Sequence, residues 1–177
     1  MYKLALILAM PLLVLPGLAQ SRNCLRVMTP EELVRNSAFI ARVKVRKVAK
    51  ANYRGVYSQV ATLTPVDVID GDFTLKQVHA LARANVRCAE DNYIEKQEML
   101  VFLVPEDSLF RTQNFQYGQF QLDGEIVRGW RDKANKPVDR IYAEVRLEIE
   151  GYVNAAHRPP SEEAPPPPVR PKPEPRN

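Results

Sequence analysis

Few side chains in this sequence can do chemistry. Two cysteines, Cys24 and Cys88, are able to crosslink, and two histidines, His79 and His157, are able to carry protons. A run of six cations, Arg42, Lys44, Arg46, Lys47, Lys50 and Arg54, has no acid between its ends, and Tyr53 and Tyr57 lie beside it. Basic and aromatic residues so interleaved can hold single-stranded nucleic acid by phosphate contacts and stacking. The same charges attract other polyanions, and the plainest reading is a solvated strand face that discourages edge pairing. A serine-type triad needs a histidine beside a hydroxyl and a carboxylate, and neither histidine sits in a nucleophile motif. His79 falls in a strand pattern and reads as an ordinary strand residue. Asp70, Asp72, Glu106 and Asp107 lie near turn signals, but their spacing matches no calcium loop. There is no glycine-rich phosphate cradle. The residues therefore predict no catalytic group, no cofactor and no metal site, and the chain reads as something other than an enzyme.

The compartment follows from the first segment. Met1-Tyr2-Lys3 is a short basic start, Leu4 to Leu15 is an apolar run, and Gly17 and Ala19 suit a cleavage before Gln20. The run is shorter than the roughly 20 residues a membrane-crossing helix needs, so residues 1–19 read as a signal peptide. Cys24 follows Ser21-Arg22-Asn23, which does not suit a lipidated cysteine. The expected location is outside the cytoplasm, in the periplasm or beyond. There a pair of thiols normally oxidises, so Cys24 and Cys88 are candidates for a disulfide, with two independent buried thiols as the alternative. Export also takes nucleic acid out of reach. The anionic partners left for the basic run are a lipid headgroup or an envelope polymer.

At the other end, residues 155–177 hold nine of the fifteen prolines and only one aliphatic side chain larger than alanine, Val169. Such a stretch buries too little to offset its ordering entropy. It reads as an extended spacer or disordered tail, with docking of its PxxP-like segments as the other reading. The chain has 177 residues, 45% of them hydrophobic, and a net charge of +4, which leaves one ordinary domain between signal and tail, over 20–154.

That domain opens on Thr29-Pro30-Glu31-Glu32, a capping box with proline at the first helical position, predicting a short helix that ends near Asn36 or Ser37. Phe39, Ala41, Val43 and Val45 then alternate with polar residues as a strand, with a bulge near Lys47-Val48. Tyr53-Arg54-Gly55 reads as a connection. A second strand covers 57–69, and Pro65 predicts that it bends or runs along an edge there. Asp70-Gly71-Asp72 is a turn, and Gln77 to Asn85 a third strand. Met99 to Val104 is apolar on both faces and should be the most central strand. Gln116 to Val127 reads as a hairpin turning at Asp123-Gly124. Residues 138–150 fit two periods at once: Ile141, Ala143, Val145, Leu147 and Ile149 alternate as a strand, while Ile141, Val145 and Ile149 recur at helical spacing. Pro137 and Asp139 resemble a helix start, and helix is the reading adopted.

The succession Cys24, Thr29-Pro30-Glu31-Glu32-Leu33-Val34, Phe39-Ile40-Ala41-Arg42-Val43, Val66-Asp67-Val68-Ile69-Asp70-Gly71-Asp72, Cys88, Glu98-Met99-Leu100-Val101-Phe102-Leu103 and Tyr117-Gly118-Gln119-Phe120 resembles exported bacterial proteins with a tissue-inhibitor-of-metalloproteinase-like (netrin-like) OB-fold domain. The resemblance runs from about Cys24 to Tyr152. It implies a mainly β fold: a small antiparallel OB-fold-like barrel of about five strands, with a short N-terminal helix and a C-terminal helix. It also implies that Cys24 is tied to Cys88. Animal inhibitors of this fold chelate a protease zinc through the free amine and carbonyl of an N-terminal cysteine. Here Gln20-Ser21-Arg22-Asn23 would precede Cys24, and Arg26 stands where those inhibitors have a second cysteine, so metalloproteinase inhibition is only an alternative. The leading expectation is a noncatalytic module that binds another exported or envelope protein.

Overall fold

The computed structural model describes residues 25–157 apart from positions 87 and 90. The signal segment, Cys24 and residues 158–177 of the proline-rich stretch lie outside these residues, whereas 155 and 156, expected in that tail, belong to the C-terminal helix. Helix α1 (Pro30–Arg35) starts as the capping box dictates: the Glu32 amide donates to Thr29 Oγ1 at 3.2 Å, and the Thr29 amide donates to Glu32 Oε2 at 2.9 Å. Asn36 caps its end.

Eight strands follow: β1 (Phe39–Tyr53), β2 (Tyr57–Asp70), β3 (Val78–Ala84), β4 (Glu98–Glu106), β5 (Leu109–Thr112), β6 (Gln119–Asp123), β7 (Ile126–Arg131) and β8 (Pro137–Ile141). A single 3₁₀ turn, Phe115–Gly118, separates β5 from β6, and helix α2 (Tyr142–Ala156) follows β8. The fold is mainly β, as expected. Five strands close a ring in the order β1-β2-β3-β5-β4, sealed by β1 on β4 from Phe39↔Leu103 to Lys44↔Glu98. All its pairings are antiparallel except β3 with β5, where Ala80 faces Phe110 and Leu81 faces Arg111. Strands β6, β7 and β8 extend the sheet from the side of β4 that β5 occupies farther along.

Alternation along β1 and β4 builds two cores. Phe39, Ala41, Val43 and Val45 meet Met99, Val101 and Leu103 inside the ring, with Leu63, Val78 and Ala80. Ile40, Leu100 and Phe102 point the other way, into a second core with Phe120, Trp130, Val145 and Ile149. The Trp130 ring stacks on Phe102 at 6.1 Å and lies 5.0 Å from Phe120, and its indole N–H donates to Glu148 of α2. β4 is thus buried on both faces and paired on both edges, which is why its sequence carries no polar face.

Four details differ from expectation. Leu109–Thr112 is a strand that no pattern announced, and residues 115–118 form a 3₁₀ turn where the hairpin was expected to begin. The bulge in β1 lies between Val45 and Lys47, so Arg46 is the extra residue. Helix α2 begins at Tyr142 rather than at Pro137. Residues 137–141 pair with β7, and Asp139 accepts from the Gly129 amide at 3.0 Å and from the Arg128 guanidinium at 2.6 Å instead of capping a helix. Those two contacts hold the Asp139 carboxyl below the ordinary range, the Gly129 hydrogen bond foremost. From Tyr142 onward the helical period rules: Val145 and Ile149 are fully buried, while Leu147, which a strand would place on their side, is 67% exposed.

Candidate functional site

The six cations of β1 and its turn do not act as one surface. Arg42 turns toward the second core, bonded to Glu98 at 2.7 Å and Glu125 at 2.8 Å, with its guanidinium 5.1 Å from the Tyr142 ring centre. Its side chain is only 15% exposed. At the far end of β1, Arg54 is held by Asp107 at 2.6 Å and Glu106 at 3.2 Å. Two of the predicted turn acids thus have a structural role.

Lys44, Arg46, Lys47 and Lys50 remain, and among the described residues none has a carboxylate within 4.0 Å. Of the acids near them, Glu95 accepts from the Val48 amide at 2.9 Å, and Glu98, the register partner of Lys44 on β4, is bonded to Arg42. Lys44 pairs with Thr64, and Arg46 Nε donates to Thr64 Oγ1 at 3.1 Å. Lys47, Thr62 and His79 are register partners across β1, β2 and β3, with Thr62 Oγ1 and His79 Nδ1 3.3 Å apart. Thr62 and Thr64 alternate with Ala61 and Leu63, which face the inner core, so this row looks outward. His79 is an exposed strand residue, and His157 follows the last turn of α2.

Beside this row the sheet opens. β3 accompanies β2 only from Tyr57 to Leu63, and from Thr64 to Asp70 only β1 pairs with it among the described residues. Pro65 stands in that half, on an edge as its missing amide requires. Val66 is the extra residue of a bulge between the Arg42–Asp67 and Val43–Pro65 pairs. The chain then turns at Gly71, whose φ is +106° and where an added Cβ would lie 2.8 Å from the Ala38 carbonyl oxygen. It returns past the open edge as residues 72–77. A cleft of about 510 Å³ lies between, with Thr64, Pro65, Val66 and Val68 on one wall and Phe73, Leu75 and Lys76 on the other. Val66 is 55% exposed and Phe73 65%. Asp67 at its base is held by the Tyr142 hydroxyl at 2.9 Å and Arg146 Nε at 3.0 Å, while Asp72 accepts from the amide and hydroxyl of Thr74. Sequence reasoning reached Pro65 but not the cleft; its faint trace was an aromatic, Phe73, set among turn residues.

One further group escaped the sequence altogether. Asp91 is buried, its Oδ1 accepts from the Ala84 amide at 2.8 Å, and its Oδ2 has no hydrogen-bond partner among the described residues. Burial drives its pKa above the ordinary carboxylate value, against the pull of the backbone amides. It anchors the end of β3, where the Arg83 amide also donates to the Asp91 carbonyl. Nearby, Gln116 donates to the Cys88 carbonyl at 2.9 Å; the other half of the expected disulfide, Cys24, lies outside the described residues.

No three His, Cys, Asp or Glu side chains converge as a metal-ligand group among the described residues. No described helix is long and apolar enough to cross a membrane. Compared with protein-family models and with curated proteins, the chain matches none of them.

Proposed function

We propose that this chain is an exported, noncatalytic binding module whose partner is another exported or envelope protein. The observation that supports it best is the cleft at the open half of β2, where Val66 and Phe73 stand in solvent beside cations that have no carboxylate partner among the described residues. Apolar side chains left outward beside an unpaired strand edge mark an interaction site. The netrin-like resemblance agrees with a module of this kind. The reading includes cleavage after Ala19 and a Cys24–Cys88 crosslink, and mass spectrometry of the exported form under nonreducing conditions reports both. Immobilised full-length protein should retain a stable partner from envelope extract and lose it when Phe73 and Val66 are changed to serine. A dose-dependent loss of metalloprotease activity would replace this reading with inhibition.

A second reading rests on Lys44, Arg46 and Lys47 alone. A row of cations with no carboxylate partner among the described residues suits an anionic envelope polymer or lipid headgroups. That binding would weaken steeply between 50 and 300 mM salt, on the order expected as the screening length shrinks, whereas an apolar contact at Phe73 would not.

A further inference from the structure

We propose, building on the binding-module reading, that the open edge of β2 over Thr64–Val68 takes up an extended peptide segment of the partner as an added strand, and that this segment carries an acidic residue next to apolar ones. The main chain supplies the first argument. β3 leaves β2 after Leu63, and among the described residues no other strand pairs with that side of β2. An unpaired edge is a template for one more strand. The occupant is not a second copy of the same edge. Pro65 removes a backbone donor from this stretch, so two copies paired edge to edge would each lack one, whereas a foreign strand with its full set of amides meets a single gap.

Side chains supply the second argument. Successive residues of an added strand point to opposite sides. One set would enter the cleft against Val66 and Phe73, both largely exposed, and cover them.

Charge supplies the third. Thr64 stands among three cations: Lys44 is its register partner, Arg46 donates to its hydroxyl at 3.1 Å, and Lys76 lines the opposite wall of the same cleft. None of the three has a carboxylate within 4.0 Å among the described residues. The acids nearby are Asp67 and Asp72, already hydrogen-bonded, Asp70 at the turn, and Glu98, the register partner of Lys44 on β4, which is bonded to Arg42. A carboxylate of the incoming strand beside Thr64 would meet uncompensated positive charge, while a lysine there would be repelled.

The test is a selection of random extended decapeptides on the immobilised full-length protein, followed by fluorescence anisotropy of the enriched sequences. Alternating apolar residues with at least one acid should be enriched. Arg46→Glu with Lys76→Glu should weaken them more than tenfold, and so should Phe73→Ser. Methylating alternate backbone nitrogens of the peptide should abolish binding in one phase of alternation and not in the other. All three side chains are exposed, and unchanged thermal melts confirm that the variants fold. Enrichment of basic sequences, of none, or of peptides indifferent to N-methylation overturns the proposal. So does sedimentation with phosphatidylglycerol vesicles that depends on Phe73, because the surface would then be a membrane contact. If Arg46→Glu with Lys76→Glu retains a partner from envelope extract as well as the parent does while Phe73→Ser loses it, the binding module stands and the strand-addition site falls.

Discussion

Asp91 is the side chain whose behaviour should depend most on pH. An acid whose folded pKa lies above its unfolded one binds its proton more tightly in the native state. Its contribution is therefore greatest below the unfolded value, near 3.8, and declines as the pH rises through the folded value. Asp91→Asn keeps an acceptor for the Ala84 amide and carries no charge. It should melt at or above the parent at pH 7 to 8, the difference closing toward pH 4; a parallel offset across that range in thermal melts would contradict this account. Asp91→Ala, which leaves the Ala84 amide unpaired, should cost about 1–3 kcal/mol. Gly118 is constrained differently: a Cβ there would lie 1.9 Å from the Gln113 carbonyl oxygen. Gly118→Ala should destabilise by at least about 2 kcal/mol in urea unfolding, because the obstacle is main chain that cannot swing aside. Asp91 carried no signal in the sequence, and Gly118 was visible there only within the Tyr117-Gly118-Gln119-Phe120 motif, because what constrains each is a neighbour that folding brings near. The cationic run was legible and misleading for the same reason. Arg42 and Arg54 are adjacent to the others in sequence, but Glu125 and Glu106, which neutralise them, are 83 and 52 positions away.

Elements with a strong local signature were readable, and those defined by a partner were not. The capping box announced α1, and the two-faced apolar run announced β4. β5 is only Leu-Phe-Arg-Thr, and it is a strand because β3 and β4 flank it. β8 looked like the first turn of a helix until β7 claimed it. Residues 142–150 fit either period, and burial decided between them. That decision can be tested by substitution. Ile149→Ala should cost about 2–5 kcal/mol, whereas Leu147→Ser should stay within about 0.5 kcal/mol. A strand would make the two losses similar. Pro65 correctly signalled an edge, but the cleft behind it arises from where β3 departs, which no local pattern records.

In the whole molecule β4 is the shared wall of two cores. Its amides should be the last to exchange in hydrogen–deuterium measurements, and those of β8, paired on one side only, among the first of the strands. Equal protection of the two would argue against a two-core arrangement. The order in which the chain is made sharpens the asymmetry. The ring is complete once Thr112 has been added, but Trp130, Val145 and Ile149, which cover Ile40, Leu100 and Phe102, all come later. A ribosome that stalls after β6 would therefore release a product with a closed interior and a bare greasy flank. Such fragments should clump, so α2 acts as the lid that turns a sticky intermediate into a finished molecule.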